Sequence, residues 1–210
     1  MTAPRPGPDR IEIAATVLLA IATVATAWSG YQATRWGGET SKAFSAANAA
    51  RVESTRASAL SNALTEVDVA TFTSWADAFI REETELADFY EARFREEFGP
   101  AFEAWLATDP LNNPEAPPTP FVLPEYVVAA GLEADDLSAT AEARSAEARR
   151  NVQRQSNYVL GVVLFAASLF FAGITKVSRG GTRTAIFGIG CIVFTGTLIW
   201  IATFPISLTV

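Results

Sequence analysis

Three long hydrophobic runs constrain this chain more than any other feature of its sequence. They cover residues 11–30, 158–175 and 184–204. Each run is close to the roughly 20 apolar residues that a helix needs to cross about 30 Å of hydrocarbon. We therefore predict an all-α, multi-pass membrane protein whose three transmembrane helices lie in the lipid bilayer of the cell membrane.

The rest of the sequence consists of one long polar segment and short connections. Residues 31–156, between the first two runs, carry 21 acidic and 11 basic side chains, whereas the whole chain has a net charge of −7. We predict these divisions: a flexible tail at 1–9, transmembrane helices at 10–30, 157–176 and 184–204, an acidic helical extramembrane domain at 31–156 with a proline-rich loop at 109–124, a short basic loop at 177–183, and a tail at 205–210.

The chain lacks most of the side chains and motifs that usually support catalysis and metal binding. The chain contains no histidine, which is the commonest general base at neutral pH. Its one cysteine, Cys191, lies in the third hydrophobic run, where a thiol behaves as a small apolar group. Sequence motifs for phosphate binding, serine hydrolysis and zinc chemistry are absent. We therefore predict a non-enzymatic protein with no cofactor, no metal site and no catalytic residue.

Basic residues near the hydrophobic runs predict an orientation. Lys176, Arg179 and Arg183 surround the connection between the second and third runs, and Arg5 and Arg10 precede the first. Short basic connections stay in the cytoplasm. This rule places the N-terminus and the 177–183 loop in the cytoplasm and the acidic domain outside it, although arginines between positions 144 and 154 oppose this assignment.

The first hydrophobic run allows a second interpretation. An A-x-A pattern at 25–27 is typical of a signal peptide, which would be cleaved after Ala27. The run is long, however, and Trp28, Tyr31 and Trp36 resemble the aromatic belt that anchors a retained helix at the membrane interface. We therefore expect the first span to be retained.

Alanine-rich sequence on both sides of the extramembrane domain predicts a pair of helices. The first span is expected to continue as a helix to about residue 70, with a weak point at Gly37–Gly38. A second helix is expected to begin near Leu132 and to run into the second span. Because alanine edges permit close approach, we predict that this helix packs on residues 44–70 as a coiled-coil-like hairpin.

A stripe of large apolar side chains follows between Phe72 and Trp105. These side chains recur at intervals of three, four or seven residues, which predicts the buried face of one helix that Gly99–Pro100 breaks or kinks. We interpret the stripe as core, with a cofactor or lipid pocket as the alternative. Glu82 and Glu85 stand at i and i+3 beside this stripe. We interpret them as part of a solvated helix face, with a calcium or magnesium site as the alternative.

Two segments resemble an uncharacterised family of small bacterial three-span membrane proteins. Residues 27–38 read A-W-S-G-Y-Q-A-T-R-W-G-G, which is similar to an A-W-S-x-Y-Q-x-x-x-W-x-G box, and residues 163–174 read V-L-F-A-A-S-L-F-F-A-G-I. The resemblance implies a bacterial inner-membrane protein and no activity. Five residues of the box are interface candidates: Trp28, Tyr31, Gln32, Arg35 and Trp36. They form either an interfacial anchor or a conformational or subunit contact in which Gln32 makes a buried polar bond.

These observations favour binding or assembly over chemistry. Our main hypothesis is that the helical domain mediates self-assembly or interaction with a protein partner. One alternative is a homo-oligomeric channel or conduit, and another is a sensor subunit that lacks its own output domain. Nucleic acid is not an expected partner, because residues 31–156 carry a net charge of −10.

Overall fold

The computed structural model describes residues 10–178 and 180–207, and these ranges are all-helical. The helices are α1 (Arg10–Ile80), α2 (Thr84–Glu91), α3 (Gly99–Leu106), a 3₁₀ turn (Pro120–Val122), α4 (Ala129–Thr175) and α5 (Gly181–Ala202). By length and composition, α1, α4 and α5 could each cross a membrane. The predicted all-α class with three span-length apolar helices is therefore confirmed.

Some predictions fall outside the described residues. The flexible tail at 1–9, Arg179 of the basic loop and the last three residues of the 205–210 tail are among them.

The chain divides into two compact units. We call the first the apolar unit (Met1–Ser45 with Arg144–Val210) and the second the aromatic unit (Ala46–Ala143). The three hydrophobic runs belong to the apolar unit, whereas the stripe from Phe72 to Trp105 belongs to the aromatic unit. Because α1 and α4 contribute residues to both units, the apolar unit combines two separate stretches of chain, whereas the aromatic unit is one continuous stretch.

The apolar unit buries little of its apolar surface. Each of its three long helices contains a strongly apolar segment of 18 residues. At most 33% of the residues in any of these segments are buried. Large side chains are correspondingly exposed, among them Val24, Phe170, Ile192 and Ile199. In water this surface would be unfavourable by about 25 cal/mol for each Å² of apolar area. It is suited to an apolar solvent.

Glycines bring the helices of the apolar unit close together. A Cβ on Gly161 of α4 would overlap Ile201 Cδ1 of α5, and a Cβ on Gly190 of α5 would lie 3.1 Å from the Cβ of Phe171. Gly37 permits a similar approach between α1 and α4, since its Cβ would lie 3.1 Å from Gln155 Nε2. The expected weak point at Gly37–Gly38 is α-helical and lies within α1.

Three buried hydroxyl groups of α4 and α5 are satisfied within their own helices. Ser168, Thr175 and Thr197 are buried, and each donates a hydrogen bond to the backbone carbonyl four residues earlier. Such bonds remove the cost of an unpaired polar group in an apolar environment. These three side chains therefore need no second helix as a hydrogen-bond partner.

The aromatic unit has a dense core of rings. Trp75 and Phe102 meet edge to face with ring centroids 4.8 Å apart, and Phe98 stacks on Phe121 at 5.3 Å. The indole Nε1 of Trp105 donates a 2.8 Å hydrogen bond to the carbonyl of Pro117. This bond joins the proline-rich loop to the core, so the loop is held by a buried side chain.

The prediction of one helical stripe between Phe72 and Trp105 is wrong. The segment forms three helical pieces, because α1 ends at Ile80 and α2 and α3 follow as separate helices. Gly99–Pro100 begins α3 instead of breaking a helix, since proline fits the first turn, where its missing N–H is not needed. Glu82 lies between α1 and α2, so it does not share a helix face with Glu85.

Within the aromatic unit, α4 packs against α1 through small side chains. The Ser54 hydroxyl donates a 2.9 Å hydrogen bond to the carbonyl of Ala134, and a Cβ on Gly131 would lie 3.1 Å from the Ser61 hydroxyl oxygen. The helix begins at Ala129, three residues before the predicted start. This contact is the pairing of small-residue helices that the sequence predicts; a coiled-coil geometry stays a prediction.

A buried ion pair stabilises the aromatic unit. Asp68 is fully buried and accepts two 2.9 Å hydrogen bonds from Arg95, through Nε and a terminal nitrogen. The Tyr126 hydroxyl donates a further 3.0 Å bond to the same carboxylate. Hydrogen bonding to Asp68 raises the pKa of Arg95, and burial raises the pKa of Tyr126. Three separate chain segments therefore meet at Asp68.

Replacing Asp68 should destabilise the aromatic unit strongly. Asp68→Ala leaves Arg95 without its main partner, and breaking a buried pair costs about 3 to 5 kcal/mol. Amide hydrogen exchange of the full chain in nanodiscs, followed over residues 94–106, would report this loss of opening free energy.

The matched control is Asp77→Ala. Asp77 also pairs with an arginine, Arg81, but both side chains are 63% exposed, and such pairs contribute less than about 1 kcal/mol. Equal exchange rates in the two variants would contradict a dominant role for the Asp68 pair.

Candidate functional site

The predicted interface residues are split between a buried group and an exposed one. Gln32 is fully buried in the apolar unit, where its Oε1 accepts a 3.0 Å hydrogen bond from the backbone N–H of Ser207. Its Nε2 lies 3.5 Å from the carbonyl oxygen of the same residue. The amide thus pairs with both backbone groups of Ser207 within the same chain, and a subunit contact of Gln32 stays a prediction.

Two further contacts surround this pairing. The hydroxyl of Tyr158 donates a 3.2 Å hydrogen bond to the carbonyl of Pro205, and the Arg154 guanidinium lies 4.6 Å from the ring centroid of Trp36. Trp36 itself is buried. Residues 205–207, which follow α5, are therefore held against α1 and α4 by side chains rather than by secondary structure.

The other box residues have different surroundings. Trp28 and Tyr31 are exposed, and their ring centroids lie 6.0 Å apart. Arg35 is partly buried. Only Gln32 and Trp36 thus belong to the interior, and Trp28 and Tyr31 keep the exposure that an interfacial anchor requires.

A second candidate site is a groove in the aromatic unit, beside the stripe for which the sequence leaves a cofactor or lipid pocket as the alternative interpretation. Two adjoining hollows of about 610 and 260 Å³ share the same apolar walls. The shared residues are Trp75, Phe79, Ile80, Leu106 and Leu111. We call this feature the apolar groove. Phe79 belongs to the stripe that the sequence assigned to the core, yet it is exposed, as are Ile80, Leu106 and Leu111.

The rim of the apolar groove is acidic. Glu82, Asp88 and Glu91 line the larger hollow, and Asp109 lines the smaller one; no Lys or Arg of the described chain lines either. All four carboxylates are exposed. The whole aromatic unit contains 19 acidic and 5 basic residues, so the groove lies in a strongly negative field.

The backbone beside the groove adopts an unusual conformation. Glu82 has φ 62° and Asp109 has φ 51°, in the left-handed region that favours glycine. Glu83 N–H bonds to the carbonyl of Ala78, and Glu82 N–H to that of Phe79, which is a Schellman motif at the end of α1. Sequence reasoning missed this helix end because its left-handed residue is glutamate, not glycine.

Within residues 10–178 and 180–207, no group of three or more Cys, Asp or Glu is placed to hold a metal ion. No protein-family model, curated protein or solved structure matches the chain.

Removing the Gln32 amide should release residues 205–207. Gln32→Ala leaves the N–H of Ser207 unpaired, which costs about 1 to 3 kcal/mol. A Ser207→Cys reporter in a Cys191→Ala background keeps the backbone groups that Gln32 binds. We expect a water-soluble maleimide to label it about tenfold faster when Gln32 is alanine.

Tyr31→Ala is the control for this experiment. Tyr31 neighbours Gln32 in sequence but is exposed, so its removal should leave the labelling rate unchanged. If both variants label at the parental rate, the Gln32 pairing does not hold residues 205–207.

Glycine at position 82 should stabilise the aromatic unit. Glu82→Gly removes a steric penalty of about 1 to 2 kcal/mol at φ 62°, which outweighs the cost of about 0.4 to 1 kcal/mol that glycine adds through the unfolded chain. Glu83 has an ordinary φ of −83°, so Glu83→Gly should instead cost about 0.4 to 1 kcal/mol through greater freedom of the unfolded chain. Hydrogen exchange over residues 76–91 measures both changes, and changes of the same sign would refute the argument from strain.

Proposed function

We propose that this chain is a non-enzymatic, multi-pass membrane protein whose aromatic unit binds a partner protein outside the cytoplasm. The observation that carries the proposal is the apolar groove. Soluble surfaces rarely expose large contiguous apolar patches unless these take part in binding. Here four exposed side chains, Phe79, Ile80, Leu106 and Leu111, lie together beside the buried ring of Trp75.

The apolar unit supports the membrane part of the proposal. Each of its three long helices is long and apolar enough to cross a membrane. These helices also expose large apolar residues on their surfaces. The basic residues Lys176 and Arg183 near the α4–α5 connection support a cytoplasmic position for that connection. The acidic aromatic unit then lies outside, where the partner would meet it.

Proximity labelling in the native cell tests the proposal. A peroxidase inserted after Asn113, in the exposed proline-rich loop, leaves the helices of the aromatic unit uninterrupted. We expect a defined set of labelled proteins that exceeds the set labelled by the same peroxidase on an unrelated membrane protein facing the same compartment.

The Asp68→Ala variant carrying the same peroxidase is the control. Since it removes the ion pair that stabilises the aromatic unit, it should lose the specific set while it still reaches the membrane. Identical labelled sets for the wild type, this variant and the unrelated protein would contradict partner binding by the folded unit.

A further inference from the structure

The shape of the apolar groove indicates what kind of occupant it accepts. Its floor contains the rings of Trp75 and Trp105, which are 4% and 8% exposed, while Ile80 and Leu111 on its walls are 73% and 66% exposed. The hollow is therefore an open trough. It can receive a row of side chains from an extended surface, whereas a small metabolite is usually enclosed on most sides.

The floor of the groove is already in place before binding. The Trp105 indole is fixed by its bond to the carbonyl of Pro117, and Trp75 packs at 4.8 Å from the Phe102 ring centroid. A partner that docks here needs little ordering of these rings, which favours affinity. The two hollows share their apolar walls, so they offer one continuous apolar surface to an occupant.

The negative charge around the groove determines which residues can lie beside the apolar face of an occupant. The rim residues Glu82, Asp88, Glu91 and Asp109 take part in no ion pair within the described part of the chain. The aromatic unit contains only 5 arginines against 19 acidic residues, so its net charge is strongly negative. An anionic lipid surface would be repelled, whereas lysine and arginine beside an apolar face would be attracted.

We propose that the apolar groove binds an amphipathic helix of a partner protein, with large apolar side chains on one face and Lys or Arg along its edges. This inference rests on the proposed partner-binding function and specifies the chemistry of the partner. Helix-in-groove recognition uses anchors at i, i+3 or i+4, and i+7, which a trough with two adjoining hollows can accept. The groove walls are helical, so they present no strand edge for pairing with an extended peptide.

Site-specific photocrosslinking of the full chain in native membranes tests this proposal. p-Benzoylphenylalanine is placed at Ile80 or Leu111 in the groove, or at Leu132, which is 58% exposed in the same unit but does not line the groove. The captured peptides are then sequenced by mass spectrometry. We expect Ile80 and Leu111 to capture one shared segment that combines large apolar residues with Lys or Arg, and Leu132 not to capture it.

A charge reversal on α2 tests the role of the rim. Asp88→Lys with Glu91→Lys should lower the crosslink yield about tenfold, because both exposed carboxylates line the larger hollow. The matched control is Glu85→Lys with Glu96→Lys. It makes the same change in charge at exposed positions that do not line the groove, and it should leave the yield within about twofold.

The outcomes separate this inference from the proposed function. Capture of a partner only at Leu132 would overturn the groove while leaving partner binding by the aromatic unit in place. Capture of an acidic segment, a lipid or a second copy of this chain at Ile80 or Leu111 would overturn the inference, as would equal effects of the two charge reversals. Absence of any crosslinked protein at all three positions would count against both proposals.

Discussion

The apolar surface that three helices cannot bury among themselves is the constraint on which the rest of this protein depends. In the apolar unit, glycines bring α4 and α5 into contact, and the buried hydroxyls of Ser168 and Thr197 bond to their own helices. Large apolar residues still face outward. A low-dielectric environment tolerates that surface but demands that every buried backbone group have a partner. The pairing of Gln32 with both backbone groups of Ser207 meets this demand where α5 has ended.

The aromatic unit is stabilised differently, because it contains none of the three hydrophobic runs. Between Ile80 and Ala129 its helices are short, and its stability comes from rings that meet edge to face and from one buried ion pair. A buried charge pair is weak evidence for stability in itself. Here the carboxylate of Asp68 joins α1 to Arg95 and Tyr126, so the pair also selects one arrangement of three segments.

The apolar groove combines two features that folding alone does not favour. It exposes Phe79, Ile80 and Leu111 to the surface, and it lies beside two non-glycine residues with positive φ. Strained backbone that a fold retains is often associated with function. The acidic side chains of Glu82 and Asp109 occupy those strained positions, where glycine would fit with less strain. Glycine at either position would relieve the strain but would also remove a negative charge from the rim of the groove.

The sequence by itself determined the helical class and the three helices that are long and apolar enough to cross a membrane. These follow from local composition and from the 3.6-residue period, which need no knowledge of distant residues. The burial of Gln32 was foreseen as one of two interpretations, but its partner Ser207 was not, because 175 positions separate them. Only the tertiary structure decided which aromatic side chains are buried. The helix end at Glu82 redirects the chain, and that turn leaves Phe79 in a groove while Trp75, four residues earlier on the same helix, enters the core.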